Sequence, residues 1–183
     1  MDEVGMDEVG MDGIAVSLAD MLEARDRRAE RQQVLFARHG LPLLSVTLVT
    51  PGPVKVTATS RFVMETAADE LDRLFRRTGW TVPARLPVRE PTGLEALYAV
   101  DTEARVLKWA AATLEDDHPL GRLWDLDVLC PMQGGLSRSA LGLGPRRCLV
   151  CGEPAHGCAR SRRHPLDELL AAIEERVNAY RIH

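Results

Sequence analysis

Two carboxylates stand two residues apart in a segment where acidic and apolar residues alternate. Asp125 and Asp127 flank Leu126, and the stretch 123–129 has the period of two that is typical of a strand. Both carboxylates would then lie on one face and could converge on a hard cation such as magnesium. A magnesium ion held in this way is what metal-assisted transfer of a nucleotidyl group requires. By itself, the Asp-x-Asp pair also fits a polar strand face exposed to solvent.

Basic residues are concentrated after this pair. Residues 128–163 contain six arginines and one acid, Glu153, within a protein whose formal net charge is −4. Arg138 is a candidate phosphate clamp, because a guanidinium presents paired donors to phosphate oxygens. Glu115, at the end of the preceding predicted helix, is the candidate for a third carboxylate. This local charge favours a small polyanion or an acidic protein over bulk nucleic acid, and a solvated arginine-rich surface is the alternative interpretation.

Three of the four cysteines are clustered in the last third of the chain. Cys148, Cys151, Cys158 and His164 offer four ligands in a compact loop, and a short Cys-x2-Cys element is common in structural zinc sites. His156 is a competing fourth ligand, and buried reduced thiols are the alternative to zinc. The first residues lack the basic and apolar regions of a secretory signal, so a disulfide framework is not expected.

Length and composition indicate one globular domain in water. The 183 residues are 45% hydrophobic and 27% charged, and no apolar run approaches the ~20 residues that a membrane span needs. We therefore expect a cytoplasmic protein with no membrane partner. The repeated acidic units of residues 1–16 predict a disordered leader, which leaves 17–183 as the folded domain. The aromatic content of 4% argues against a protein that stacks nucleic-acid bases.

Strands that alternate with helices predict a single α/β (α+β) domain, with a mixed sheet and flanking helices. Ser17 can cap a helix that runs to about His39, and Gly40 is suited to end it. The other predicted elements are strands at 43–49, 95–100 and 123–129, helices at 60–77, 102–114 and 165–180, and a hairpin at 133–135 that leads into 136–141.

Basic residues near the N-terminus are further candidates for binding. Arg25 and Arg28 lie three residues apart and therefore share one face of the first helix. Lys55 follows the rigid turn 51–53 after one residue. A solvated helix face, paired to nearby acids, is the alternative interpretation for the two arginines.

Taken together, the order of these motifs resembles the CitX family, the apo-citrate lyase phosphoribosyl-dephospho-coenzyme A transferases, also called holo-citrate lyase acyl carrier protein synthases. The resemblance extends from about Leu18 to the last predicted helix. The motifs that carry it are HPLGRLWDLDV at 118–128, LSR at 136–138, PRRCLVC at 145–151, and CAR at 158–160 followed by His164.

The resemblance implies a nucleotidyltransferase-like domain and a particular reaction. A serine hydroxyl of the acyl carrier (gamma) subunit of citrate lyase attacks the ribose-linked phosphate of 2′-(5″-triphosphoribosyl)-3′-dephospho-coenzyme A, a phosphodiester forms, and pyrophosphate leaves. The resemblance implies magnesium at Asp125 and Asp127, and it favours His164 over His156 as a ligand of any zinc. The residues expected to act in catalysis are Asp125, Asp127, Arg122 and Arg138, and those expected to bind the precursor are Arg25, Arg28, Lys55, Arg147 and Arg160.

Two other functions fit parts of the sequence. One is transfer of the same prosthetic group to a different carrier, such as that of malonate decarboxylase, although the GRLWD and RCLxC motifs argue against it. The other is a zinc-loop module that binds acidic proteins or RNA without catalysis.

Overall fold

Helices and strands alternate along the part of the chain that the computed structural model describes, residues 11–182. Seven of the ten main elements coincide with predicted ones within a few residues, and β5 begins the predicted hairpin. In chain order the elements are α1 (Leu18–His39), β1 (Leu43–Leu48), α2 (Ala58–Thr78), β2 (Thr81–Glu90), β3 (Gly93–Asp101), α3 (Ala104–Asp117), β4 (Trp124–Cys130), β5 (Gly134–Leu136), α4 (Ala155–Ser161) and α5 (Leu166–Arg181).

Capping residues set the ends of the first two helices. Ser17 accepts a hydrogen bond from the N–H of Asp20 at 3.2 Å, and the Asp20 carboxylate accepts the N–H of Ser17 at 2.7 Å. Gly40 ends α1 in the left-handed conformation, with φ at 64°, which glycine adopts without strain. Thr57 and Ser60 form the same reciprocal pair at the start of α2. The predicted boundaries of α1 are confirmed.

The five strands form one sheet in the order β2-β3-β1-β4-β5, and every pairing described is antiparallel. The α+β class with flanking helices is confirmed, but the expected mixed pairing is wrong. Helix α2 connects β1 to β2, and α3 connects β3 to β4. Each helix joins two strands that run in the same direction, but another strand lies between them, which is the split βαβ arrangement.

The two faces of the sheet are covered differently. Helices α2, α3 and α5 pack on one face and enclose the main core. Helix α1 packs against β1 and β3 on the other face, where Leu35 contacts a smaller cluster. Buried strand residues in the main core include Leu44, Val46, Tyr98, Leu126 and Val128.

The predicted leader is only partly described. Residues 1–10 lie outside the described residues, but the residues that follow pack against the domain. Gly13 donates to the carbonyl of Val56 at 3.2 Å, and Val16 donates to that of Pro53 at 3.0 Å. These two hydrogen bonds tie residues 13–16 to the segment 53–56. No helix in residues 11–182 is long and apolar enough to span a membrane.

Gly121 lies where the chain passes directly beneath the last turn of α3. A Cβ atom at this position would lie 2.3 Å from the carbonyl oxygen of Leu114 and 2.7 Å from that of Glu115. We predict that Gly121→Ala lowers the free energy of unfolding by about 1–3 kcal/mol or more, because backbone atoms must move to admit the methyl group. Urea denaturation measures this change.

Gly135→Ala is the matched control, since nothing lies within 4 Å of a Cβ built at that glycine. Its unfolding free energy should stay within about 0.5 kcal/mol of wild type. Equal losses in the two variants would contradict the assignment of a close backbone approach at Gly121.

Candidate active site and metal-ligand cluster

The two aspartates of β4 lie on the same face, as predicted. Asp125 and Asp127 keep 44% and 65% of their side-chain surface exposed, whereas Leu126 between them is fully buried on the opposite face. Across the sheet, Asp125 is opposite Thr47 and Asp127 is opposite Ser45. The alternating pattern therefore presents two carboxylates to solvent on a strand whose other face is fixed in the core.

Each aspartate has a cationic neighbour. Arg146 donates from Nη1 to Oδ1 of Asp125 at 2.6 Å, and it also donates to the carbonyl of Trp124. The Nζ atom of Lys108 lies 3.8 Å from Oδ1 of Asp127. Partial loss of hydration, together with the nearby charge of Asp125, raises the pKa of Asp127. The pair is thus held by the protein, with oxygen atoms still open to solvent.

Two buried side chains of α3 fix the backbone of β4 between the aspartates. Lys108 donates to the carbonyl of Leu126 at 2.8 Å, and Glu115 accepts the N–H of Leu126 at 2.8 Å. Burial raises the pKa of Glu115, while the charge of Arg146 opposes that rise. Glu115 was the candidate third carboxylate, but the structure engages it with the backbone of β4 and with arginines instead.

Arg138, the predicted phosphate clamp, is engaged by carboxylates. Its Nη1 donates to Glu115 at 2.9 Å, its Nη2 pairs with Asp116, and its Nε donates to the carbonyl of Gly144 at 3.0 Å. Only 13% of its side-chain surface is exposed. Arg138 therefore anchors the loop after β5 to α3, and a phosphate could reach it only by displacing these partners.

Arg122 has fewer partners than Arg138. Its Nε donates to the carbonyl of Arg147, whereas Nη1 is buried and has no hydrogen-bond partner in the described structure. Burial and the nearby charge of Arg146 lower the pKa of Arg122 to about 10. The guanidinium remains protonated at neutral pH. It is therefore a cation that has fewer hydrogen-bond acceptors around it than donors. The side chain of Arg147 points elsewhere and donates to the carbonyl of Gly152 at 3.1 Å.

Two of the predicted precursor-binding residues meet beside β1. Arg28 and Lys55 line a cavity of about 210 Å³ together with Thr47, the residue opposite Asp125. Arg28 donates to Glu95 at 2.8 Å. Lys55 donates to the carbonyl of Thr50 at 2.7 Å, and burial lowers its pKa.

Two further residues predicted to bind the precursor, Arg25 and Arg160, lie away from this cavity. Arg25 is exposed on α1, and Arg160 is exposed on α4. The guanidinium of Arg160 lies 3.2 Å from the ring of His156. Neither arginine lines the cavity that contains Lys55.

The predicted cysteine and histidine ligands come together in one cluster, the Cys3His cluster, formed by Cys148, Cys151, Cys158 and His164. Their ligand atoms all lie within 4.8 Å of one another. The Sγ of Cys151 is 3.5 Å from that of Cys158 and 3.3 Å from Nε2 of His164. Ligands about 2.3 Å from a tetrahedral zinc ion are about 3.8 Å apart, so the cluster could bind a metal such as zinc.

The chain around the cluster forms a tight hairpin. Cys148 donates its N–H to the carbonyl of Glu153 at 2.6 Å, and Ala155 donates to that of Arg146 at 2.8 Å. Gly152, at the tip, has φ of 68°, which an L side chain rarely adopts. The hairpin brings the first two cysteines together, and α4 supplies the third.

The protonation of Cys151 and the orientation of His164 suit metal binding, whereas the Cys158 thiol would have to lose its proton to a metal. A hydrogen bond from the backbone of Glu153 and another from His164 lower the pKa of Cys151 to about 7. Burial raises the pKa of Cys158 to about 11. The Nδ1 atom of His164 lies 3.0 Å from a carboxylate oxygen of Glu168, a contact that orients the ring in many metal sites. His156 lies outside the cluster.

Sequence reasoning missed the roles of Lys108 and Arg146. Lys108 is 4% exposed and lies on the face of α3 that also buries Leu107 and Ala111. A lysine among apolar residues on the core-facing side of a helix was an available signal of a buried partner. Arg146 was recognised only as part of an arginine-rich loop, because its contact with Asp125 depends on tertiary folding.

These features define an α+β protein with a split βαβ sheet, an open pair of strand carboxylates and a Cys3His loop. The chain belongs to the CitX family, described as apo-citrate lyase phosphoribosyl-dephospho-CoA transferase, which matches residues 16–180. Relatives with that name in Escherichia coli (strain SMS-3-5 / SECEC) and Shigella boydii serotype 18 (strain CDC 3083-94 / BS512) are both 41% identical over 164 residues, which is 90% of this chain and 90% of each relative. The resemblance identified from the sequence is confirmed.

His118 opens the longest family motif and is held in its neutral form. Its Nδ1 accepts the N–H of Leu120 at 3.0 Å, and its ring stacks on Trp124 with 4.4 Å between centroids. Burial lowers the pKa of His118, although Glu70 opposes that shift. Protonation at Nδ1 would break the hydrogen bond from Leu120.

The lowered pKa predicts a pH dependence of stability. The contribution of His118 is present above its unfolded pKa of about 6.5 and is lost as the pH falls through the folded pKa. We predict that the free energy of unfolding decreases from about pH 7.5 to about pH 5.5. His118→Asn keeps an acceptor near Leu120 without titrating, so urea denaturation should give a smaller decrease for this variant. Equal decreases in the two proteins would contradict the assignment.

Proposed function

We propose that this protein transfers the 2′-(5″-phosphoribosyl)-3′-dephospho-coenzyme A group from its triphosphate precursor to a serine of the acyl carrier (gamma) subunit of citrate lyase, with release of pyrophosphate. The observation that carries the proposal is the match to apo-citrate lyase phosphoribosyl-dephospho-CoA transferases along 90% of the chain. The match includes the strand with Asp125 and Asp127 and the Cys3His loop. The four free cysteines suit a cytoplasmic location.

Asp125 and Asp127 are the proposed magnesium ligands. Magnesium is commonly held by one or two carboxylates, with the remaining positions taken by water and substrate phosphates. The pair fits this pattern, since no group of three acidic or histidine ligands forms around it within residues 11–182. When bound, magnesium neutralises charge on the triphosphate and lowers the pKa of the attacking hydroxyl.

The protein's own cations complete the proposed site. Arg146 holds Asp125 from one side through a 2.6 Å hydrogen bond. Lys55 lines a cavity with Thr47, the residue opposite Asp125, and its ammonium makes no ion pair in the part of the chain that the structure describes. Lys55 therefore has N–H groups to offer to the triphosphate as charge develops on the departing pyrophosphate.

The reaction requires the protein to align the reacting groups and does not require it to form a covalent bond with the substrate. The serine oxygen forms a bond to the ribose-linked phosphorus, and the bond from that phosphorus to the bridging oxygen of pyrophosphate breaks. The serine proton passes to a base or to water. Arg146 beside Asp125, together with Lys55 in the neighbouring cavity, would hold the triphosphate in line with the incoming hydroxyl.

We predict that Asp125→Asn and Asp127→Asn each lower the rate of transfer by about 100-fold or more. An amide retains the shape of the carboxylate but loses the charge that holds magnesium against a triphosphate. The measurement is the intact mass of apo carrier subunit after incubation with enzyme, magnesium and the triphosphoribosyl precursor. Thermal melts of both variants should remain close to wild type, because Asp127 and Asp125 keep 65% and 44% of their side-chain surface exposed.

Asp117→Asn is the control, since Asp117 is an exposed aspartate at the end of α3 and should transfer at the wild-type rate. A parallel reaction with the carrier of malonate decarboxylase tests carrier choice and should give no mass gain. Near-wild-type transfer by both β4 variants would remove Asp125 and Asp127 from the active site. Transfer only to the second carrier would overturn the proposed partner.

We also propose that the Cys3His cluster holds one structural zinc ion. Three sulfurs and one oriented imidazole converge in a short loop that has little hydrophobic core of its own, so metal binding would supply its folding free energy. We predict about one zinc per chain in protein purified without chelator. Cys151→Ser should lose the zinc and lower the melting temperature.

The chain contains a matched control for this test. Cys130 lies outside the cluster, so Cys130→Ser should retain both zinc and the wild-type melting temperature. Elemental analysis and thermal melts make the comparison. Zinc-free wild-type protein with a melt that chelator does not change would contradict the proposal.

A further inference from the structure

A large cavity lies between the turn 49–52 and the Cys3His loop and has a volume of about 1080 Å³. Sites for small molecules commonly have volumes of about 300–1000 Å³ and mostly apolar walls. This cavity is therefore large enough for an extended coenzyme. Its apolar lining includes Val49, Pro51, Leu149, Ala159, Leu166 and Leu169.

Cations interrupt these apolar walls. Arg122, Arg146 and Arg162 line the cavity together with His156, and no acidic side chain is among the described residues that line it. Arg122 has no ion pair in the described structure, and its Nη1 has no acceptor. The charge and the apolar surface together match a ligand with anionic and apolar parts.

One arginine connects the cavity to the aspartates. Arg146 lines the cavity and also donates to Asp125. A ligand that contacts Arg146 in the cavity would therefore also lie next to the proposed magnesium site. The smaller cavity of about 210 Å³, which contains Lys55, shares Thr50 with the large one. Its size suits a phosphate group.

The wall nearest the turn is fixed by close packing. Gly52 has φ of 84°, and a Cβ atom at this position would lie 3.2 Å from the side chain of Leu166. The turn 49–52 therefore contacts the start of α5, and the large cavity is bounded on this side before a ligand binds. A preformed wall reduces the ordering cost of binding.

We propose that the large cavity binds the dephospho-coenzyme A portion of the precursor, an inference that rests on the proposed function. Its apolar walls take the adenine and the pantetheine arm, and Arg122 and Arg146 pair with the 5′-diphosphate of the coenzyme. The triphosphate then extends past Arg146 to Asp125. The coenzyme end is thus recognised separately from the phosphate that reacts.

The test uses dephospho-coenzyme A, which lacks the triphosphoribosyl group, as the titrant in calorimetry without magnesium. Wild-type protein should bind it, and Ala159→Trp, which places a bulky ring on the exposed cavity-facing side of α4, should weaken binding about tenfold or more. Gly157→Trp, on the same helix but outside the cavity lining, should bind as wild type does. Zinc content and thermal melts establish that both variants are folded.

Asp127→Asn distinguishes this inference from the proposed function, because Asp127 is a proposed magnesium ligand whose cationic neighbour, Lys108, does not line the cavity. The variant should bind dephospho-coenzyme A with wild-type affinity while failing to transfer the prosthetic group. Wild-type protein that catalyses transfer but does not bind dephospho-coenzyme A would overturn the cavity assignment and leave the function standing. Equal weakening by Ala159→Trp and Gly157→Trp would also overturn it.

Discussion

Two charged side chains of α3 take the place of a neighbouring strand at the centre of β4. Strand β5 pairs only with the last residues of β4, so the N–H and carbonyl of Leu126 would lack partners without Glu115 and Lys108. A buried, unpaired backbone group costs about 1–3 kcal/mol, and a buried unpaired charge costs more. The backbone groups of Leu126 and the two side chains therefore satisfy each other's hydrogen bonds. A shift in the register of β4 would leave both without partners and would incur these free-energy costs. The direction in which Asp125 and Asp127 point depends on that register.

Three consecutive residues, 146–148, connect β4 and its neighbours to the Cys3His loop. Arg146 contacts Asp125 and the backbone of β4, the carbonyl of Arg147 accepts Arg122, and Cys148 is a candidate metal ligand. The candidate metal cluster is thus two residues from the side chain that positions an aspartate. A zinc ion in the cluster would act on the large cavity by holding this segment in place.

Local chemistry made much of the fold and part of the site predictable. Helix α1 has a capping box at Ser17 and a glycine at its end, and the alternation around Asp125 decides which residues face the core. Strand β2 was not predicted, because Pro83 and Pro87 disrupt a strand pattern; as an edge strand, β2 tolerates residues that cannot donate a backbone hydrogen bond. The antiparallel order and the contacts of Lys108 depend on residues distant in sequence, which periodicity cannot identify.

The sequence predicted several cations as ligands of the precursor, but these cations differ in whether a carboxylate pairs with them. Arg28 shares a buried carboxylate, Glu95, with the neighbouring Arg31, so its charge is largely used to dock α1 on the sheet. Arg138 is neutralised in the same way by acids of α3. Arg122 and Lys55 are half-buried, yet within residues 11–182 they donate only to backbone carbonyls. Burying a cation without a counter-charge is unfavourable, and an anionic ligand that supplies the missing charge would recover that free energy on binding. Arg122 and Lys55 are therefore better suited to hold the precursor than Arg28 and Arg138 are.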